Sequence, residues 1–509
     1  MKFFNLDDAT PFLLYLDLGE SRSVRRMLAL ARRAGAETVV LTEGVARDAS
    51  SEWCNEWDVF YGPIGLGLAA TCSRLDFVRG QVRTKSELET LLANCLAAHV
   101  GFALLRPPPL NSVVLGVVPP APGNAVQYIG CCCRYPARLG DIGVATDHHI
   151  AACPTMEQDG TVSVCAHASL WIATDILSKR FPDCQPVTSG FACEAIRRVD
   201  PTYRAVPSPG LAIYQLWAAL DAAGYTVMFY DVEGFKEGAE ESLAPDHLVY
   251  RYVESGIPAI AVLDLEIGAH TIAIVGHTFD PDAWWAGARA GYYPSLYRGK
   301  QWIPSALWTP QYIVQDDNYG PYLDMSRGSL RNRSTAVIVP VPASVKMMMP
   351  PEEAETTAAA VLYAPDVMLA YMHPDNKSEW TAHIYARHDD GRFVLRTLLL
   401  SKGEMTSHIQ ATNYAEETRG ALLALQVPDW LWMVEVSAAN MFGEMLKLGE
   451  VLLDPRVPTA LRFQGMNPLL ALHLPGFVLH RTAEAQYQHA YTGPELPTRV
   501  FTRGPTGGA

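Results

Sequence analysis

No stretch of the chain runs 18 or more residues without a polar interruption, so no transmembrane helix is expected. The N-terminus, MKFFNLDDATPFLLYLDLGE, places one Lys and then two Asp ahead of its apolar run. It lacks the basic head, longer apolar core and small-residue cleavage site of a secretory signal, so a cytoplasmic protein is expected. Basic charge is in short supply: 40 Lys and Arg against 54 Asp and Glu leave a net charge of −14. An acidic chain repels phosphate, which argues against nucleic acid or an anionic membrane as partner. Cysteine is sparse, 10 in 509 residues, far below disulfide-scaffold density, so mostly buried thiols are expected. No GxGxxG joins an early strand to a helix, and no motif calls for a cofactor. What is present is globular: 49% apolar and 18% charged residues exclude a disordered chain or a coiled coil. At about 150 residues per domain, the length suggests about three domains.

An N-terminal α/β region is expected over 1–145. TPFLLYLDL reads as a strand, SRSVRRMLALARRAGA as a helix and ETVVLTEG as a strand, together a βαβ turn. The helix is basic (Arg22, Arg25, Arg26, Arg32, Arg33), which a solvated face explains better than an anion site. The Pro-rich 106–123 reads as a loop or edge segment. Residues 339–355 read as a linker between a central region, 146–338, and a C-terminal β-rich region, 356–509. In the last region WTAHIYARHDDGRFVLRTLLL reads as a β-hairpin turning at Asp389-Asp390-Gly391, LWMVEVS and LLALHLPGFVLHR as strands, and the polar tail as disordered.

Chemistry concentrates in the central region. After Cys165 the residues Ile172, Ala173, Ile176 and Leu177 fall at helical spacing, so Cys165 opens a helix. The free N–H groups and dipole there favour the nucleophilic thiolate and can hold an oxyanion. YVESGIPAIAVLDLEIGAHTIAIVGHTFD reads as two strands, with His270 at the start of the second, where the backbone fixes its ring as a base. QYIVQDDNYGPY is a short strand ending in Asp316-Asp317, about 45 residues after His270. A carboxylate there would orient the imidazole.

The set resembles the papain-like cysteine peptidases, closest to the bacterial C39-like branch. HTIAIVGH (270–277) is similar to their H-A-V-A-x-V-G-Y motif, and YIVQDDNYG (312–320) aligns without a gap on the strand that ends N-S-W-G. The gapless match assigns the orienting role to Asp317, in preference to Asp316, and C39-like proteins carry Asp there. PSPGLAIYQLWAALDAAGYTVMFY and SGIPAIAV match the helix and G-I-P that precede the His strand. The likeness covers Gln158 to Tyr322. It departs at the nucleophile, where Cys165-Ala166-His167 replaces Cys-Gly-Pro, and at Gln158, seven residues before Cys165 instead of five or six. The resemblance implies an α+β fold with a papain-like central domain, its Cys-bearing helix packed on an antiparallel sheet. It implies a cysteine peptidase-like hydrolase with Cys165 as nucleophile, His270 as base and Asp317 as orienter. Gln158 and the Cys165 N–H would form the oxyanion hole, and the partner would be a peptide or protein substrate. An acyltransferase or transglutaminase-type enzyme on the same triad, and a peptide-binding scaffold without catalysis, are the other readings. The oligomeric state stays open.

Other features carry less. Cys131-Cys132-Cys133 is a poor zinc site, because consecutive cysteines cannot all reach one ion and no CxxC is present. Cys184 and Cys193 are expected unbridged, His167 structural or lining the site, and His148-His149 on a surface loop. Trp284-Trp285 are expected in a cleft or the core, and Gly507-Gly508-Ala509 in a flexible tail.

Overall fold

The computed structural model describes residues 1–505 except 8–12, 14–15, 17–20, 47–49, 65–68, 121–125, 138–147, 163, 207, 209, 234–242, 267, 283–292, 295–300, 459–466 and 483. Trp284-Trp285, Asp147, the last four residues and most of TPFLLYLDL therefore lie outside the described residues. The rest mixes helices with three large sheets whose pairings are almost all antiparallel.

The first sheet runs Lys2–Asn5, Thr38–Val45, Cys72–Val78, His99–Leu105, Val113–Val117, Pro154–Thr155 in spatial order. Helix Arg22–Arg33 forms as expected, with the Val24 N–H donating to the capping Ser21 hydroxyl. The strand expected over TPFLLYLDL lies mostly outside the described residues. Ahead of it, Lys2–Asn5 pairs antiparallel with Thr38–Val45. The Pro-rich segment is corrected. Val113–Val117 is an inner strand with a neighbour on each side. Its prolines flank the strand, where no ladder N–H is needed.

The central sheet has the order Tyr225–Asp231, Ser334–Pro342, Ala259–Leu265, Gly268–Phe279, Gln311–Asp316, Gly320–Ser326, with Val126–Tyr128 added beside the end of Gly268–Phe279. Helix Cys165–Arg180 is buried from Ala166 through Leu177. One stripe, Ala166, Leu170, Ala173 and Leu177, shares a core with Ile272, Ile274, Tyr312 and Val314. The other, Ala168, Trp171, Ile172 and Ile176, shares a core with Leu75, Phe77 and Phe102 of the first sheet. A helix packed on both sides has no exposed face through these turns, and its polar side chains find partners inside: the Ser169 hydroxyl donates to the Thr271 carbonyl and Asp175 accepts from the Tyr135 hydroxyl.

The third sheet has eight strands: Tyr293–Pro294, Gln301–Pro304, Phe393–Ser401, Trp430–Ser437, Gly449–Leu453, Leu469–Leu474, Phe477–Arg481 and Tyr487–Tyr491. Its parallel pair, Gln301–Pro304 with Phe393–Ser401, ties central sequence to C-terminal sequence. Helix Pro245–Glu254 touches both the central strand Gly268–Phe279 and Phe393–Ser401.

Three expectations fail here for local reasons. The 339–355 linker is the end of strand Ser334–Pro342 followed by the buried helix Pro351–Leu362. Pro340 and Pro342 lie past the reach of Ala259–Leu265, where the strand has a single neighbour, and Pro351 opens its helix. The hairpin at Asp389-Asp390-Gly391 is helix Thr381–Asp390 followed by strand Phe393–Ser401. Gly391, at φ +66°, ends the helix in the left-handed region and does not turn a hairpin. The tail is not loose through residue 503. Thr498–Arg499 pairs with Leu446–Lys447, and Arg503 is buried with its guanidinium on Glu404 and the Leu399 carbonyl.

Candidate active site

The loop before helix Cys165–Arg180 is fixed from the N-terminal region. Arg106 is wholly buried, its guanidinium forked on Glu56 at 2.6 and 2.8 Å. It also donates to the Glu157 carbonyl at 2.9 Å. Asp159 accepts from the N–H groups of Thr161 and Val162 at 2.7 and 2.8 Å and from the Tyr61 hydroxyl. Gln158, held between these anchors, donates its side-chain amide to Asn318. The helix then starts at Cys165. Its N-cap, Val164, has no side chain to bond the first-turn N–H groups, and no acidic residue occupies that turn.

His270 stands on strand Gly268–Phe279, half-buried, and lines the same cleft as the Cys165 thiol, which acts on its titration. Its Nε2 lies 2.9 Å from Asp316 Oδ2 and 3.8 Å from Asp317 Oδ1. Burial pulls the imidazole pKa down, but the bond to Asp316, the Cys165 thiol and the charges of both carboxylates outweigh it and raise it to about 10. Asp316 Oδ1 accepts the N–H groups of Asn318 and Tyr319 at 2.8 and 3.0 Å, so the carboxylate is locked. Gly320, at φ +96°, closes this turn against helix Arg22–Arg33, where a Cβ would sit 3.0 Å from Ser23 Cα. Arg26 of that helix donates to the Pro321 and Tyr322 carbonyls, while Arg25, Arg32 and Arg33 face solvent as expected.

The structure thus brings Gln158, Cys165, His270 and Asp317 to one open cleft of about 730 Å³. The expected orienter is corrected: the carboxylate bonded to His270 belongs to Asp316, not Asp317. Strand alternation gives the reason. His270, Ile272 and Ile274 share one face, Ile274 pairs with Val314, and Asp316 lies two residues on along that same face. Asp317 follows the turn, 2% exposed, and neither of its oxygens accepts from another of the described residues. Burial, opposed by His270 and reinforced by Asp316, pushes its carboxyl up to about 7.

His167 points away into the fold, 1% exposed with Nε2 3.9 Å from Cys193 Sγ, and burial lowers its pKa to about 4. All ten cysteines are unbridged, Cys184 and Cys193 among them, and Cys131, Cys132 and Cys133 are buried. His148 reaches the His99 carbonyl, and His149 begins a short strand. A larger cleft of about 1110 Å³ lies between helix Lys402–Ala411 and residues 496–505. Its imidazole, His408, is driven down to about 4 by burial and Lys447. Sequence reasoning missed Arg106 and Glu56, since nothing in RPPPL signals a partner 50 residues upstream. The chain matches no protein-family model, and no curated protein matches it.

Proposed function

We propose that the chain is a papain-like thiol hydrolase that cleaves an amide bond, peptide or isopeptide, through an acyl-enzyme. The observation that carries the reading is the Cys165 thiol, at the start of a buried helix, in one cleft with an imidazole whose Nε2 is held at 2.9 Å by Asp316. The order of the motifs, the central antiparallel sheet and the Cys-bearing helix support the likeness to the C39-like branch. With Nε2 taken by Asp316, the other ring nitrogen, Nδ1, is left for the thiol. At neutral pH the raised imidazole already holds the thiol proton on Nδ1, and the Cys165 thiolate attacks the substrate carbonyl. The oxyanion faces the Cys165 N–H and the Gln158 amide. The imidazolium then protonates the departing amine, leaving a thioester that water, deprotonated by His270, hydrolyses.

An electrophilic thiol probe at neutral pH tests this, with the labelled positions read by peptide mass mapping. Cys95 is more exposed than Cys165, so accessibility alone favours Cys95. The expected result is Cys165 labelled first, with that preference lost in His270→Ala. Labelling that simply follows exposure would overturn the reading.

A further inference from the structure

Near the cleft, Glu157 accepts from Ser21 and the Val113 N–H, and Asp159 from Tyr61 and two backbone N–H groups. Asp317 is different. It is 2% exposed, neither oxygen accepts from another of the described residues, and Oδ1 points at His270 Nε2 from 3.8 Å. Burying a carboxylate without a donor is unfavourable, and a cation is one way to satisfy it. Asp316 Oδ2 approaches the same nitrogen at 2.9 Å, and the three donor atoms lie within 4.8 Å of one another. One imidazole and two carboxylates are a donor set of the kind Zn2+ takes. At Zn–N and Zn–O lengths of about 2.0–2.1 Å, a tetrahedral ion holds its ligands about 3.3–3.4 Å apart. The observed 2.9 and 3.8 Å straddle that spacing, so small side-chain adjustments would seat the ion.

We propose that His270 Nε2, Asp316 and Asp317 form a binding site for Zn2+, with its fourth position open to the cleft. The two carboxylates neutralise the ion, and the turn N–H groups on Asp316 Oδ1 keep that ligand oriented. Binding displaces the Nε2 proton to solvent. The remaining ring proton, the one Nδ1 shares with Cys165, can pass to a leaving amine only by leaving an imidazolate on the ion, which is unfavourable, so Zn2+ acts as a reversible inhibitor. That consequence rests on the thiol reading above; the binding itself needs only the three donor groups.

Calorimetric titration of the full chain with Zn2+ tests the site, in a Cys165→Ser background so that no thiolate at residue 165 can be the ligand. The expected result is one site in Cys165→Ser whose affinity falls by about 10–100-fold when Asp317→Asn or His270→Gln is added. Two variants guard against one failing to fold. Absorption of the Co2+-substituted Cys165→Ser chain should show no thiolate charge-transfer band. Absence of binding in Cys165→Ser, unchanged affinity in both double variants, or a thiolate band would each overturn the site while leaving the probe experiment on Cys165 to stand. If Zn2+ binds as expected but Cys165 is unreactive without metal, the site stands and the thiol reading falls.

Discussion

Asp316 and Asp317 differ by one position and are held in opposite ways. One is fixed by two turn N–H groups and an imidazole; the other is buried with no donor among the other described residues. Replacing Asp316 by Ala removes the partner of Nε2. The acylation rate, followed by stopped flow with an activated acyl substrate, is expected to fall on the order of 10²–10⁴-fold. Asp317→Ala should cost less, because its nearest oxygen stands beyond hydrogen-bond reach of the ring. Cys165 and His270 were legible in the sequence because each stands at the start of a regular element, where position follows from periodicity. The choice of Asp was misread because alignment to a motif outweighed the alternation that places Ile272, Ile274, Val314 and Asp316 on His270's face. Arg106 was illegible, because a buried cation declares itself only through distant partners. Arg106→Met leaves Glu56 without its counter-charge in a dry interior. About 3–5 kcal/mol of stability should be lost in urea unfolding, and Cys165 labelling should slow as the Gln158 loop loses its anchor.

At the scale of elements, strong periodicity was readable and punctuation was not. Helices Arg22–Arg33, Cys165–Arg180 and Ile213–Ala222 and strands Ala259–Leu265, Gly268–Phe279 and Trp430–Ser437 fall where their apolar spacing places them. Proline was over-read as linker at 339–355 and as loop at 106–123. Its cost depends on whether the missing N–H had a partner to lose, which only the pairing partner reveals. Asp-Asp-Gly was over-read as a hairpin turn because one glycine in the left-handed region serves both a turn and a helix end. Gly391→Ala tests that assignment. It should destabilise by about 1–2 kcal/mol through the φ of +66°, measured as a lowered urea midpoint with an unchanged slope.

Across the whole molecule, buried charge joins the third sheet to the centre. Glu495, His473, Glu450, Lys447, Glu435, Arg396, Glu254 and His277 follow one another at 2.5–3.3 Å. Burial works against the charged form of each, yet Glu450 and Glu495 hold His473 up at about 9, Arg396 and His277 hold Glu254 down at about 2, and His473 holds Glu495 down at about 2. The raised His473 contributes fully below its unfolded value of about 6.5, and that contribution fades as pH climbs through 9. The depressed carboxylates contribute above about 4.3 and fade as pH drops toward 2. His167 and His408, lowered to about 4 mainly by burial, contribute above about 6.5 and fade as pH falls through 4. His270, raised to about 10, fades on the same alkaline limb, so urea midpoints should decline between pH 7 and 9; a midpoint still rising there would contradict the assignment of His473.

Helix Cys165–Arg180 has partners that the ribosome delivers at different times. Nearly all of the first sheet has emerged before Cys165 is made, so Trp171, Ile172 and Ile176 find a surface waiting. Leu170, Ala173 and Leu177 must wait for strands that end at Pro342. A growing chain therefore carries its thiol on a half-covered helix while His270 is made 105 residues later (270 − 165) and Asp316 151 residues later (316 − 165). On the proposed reading, a nucleophile made early is armed late, when the strands that carry His270 and Asp316 close over its helix.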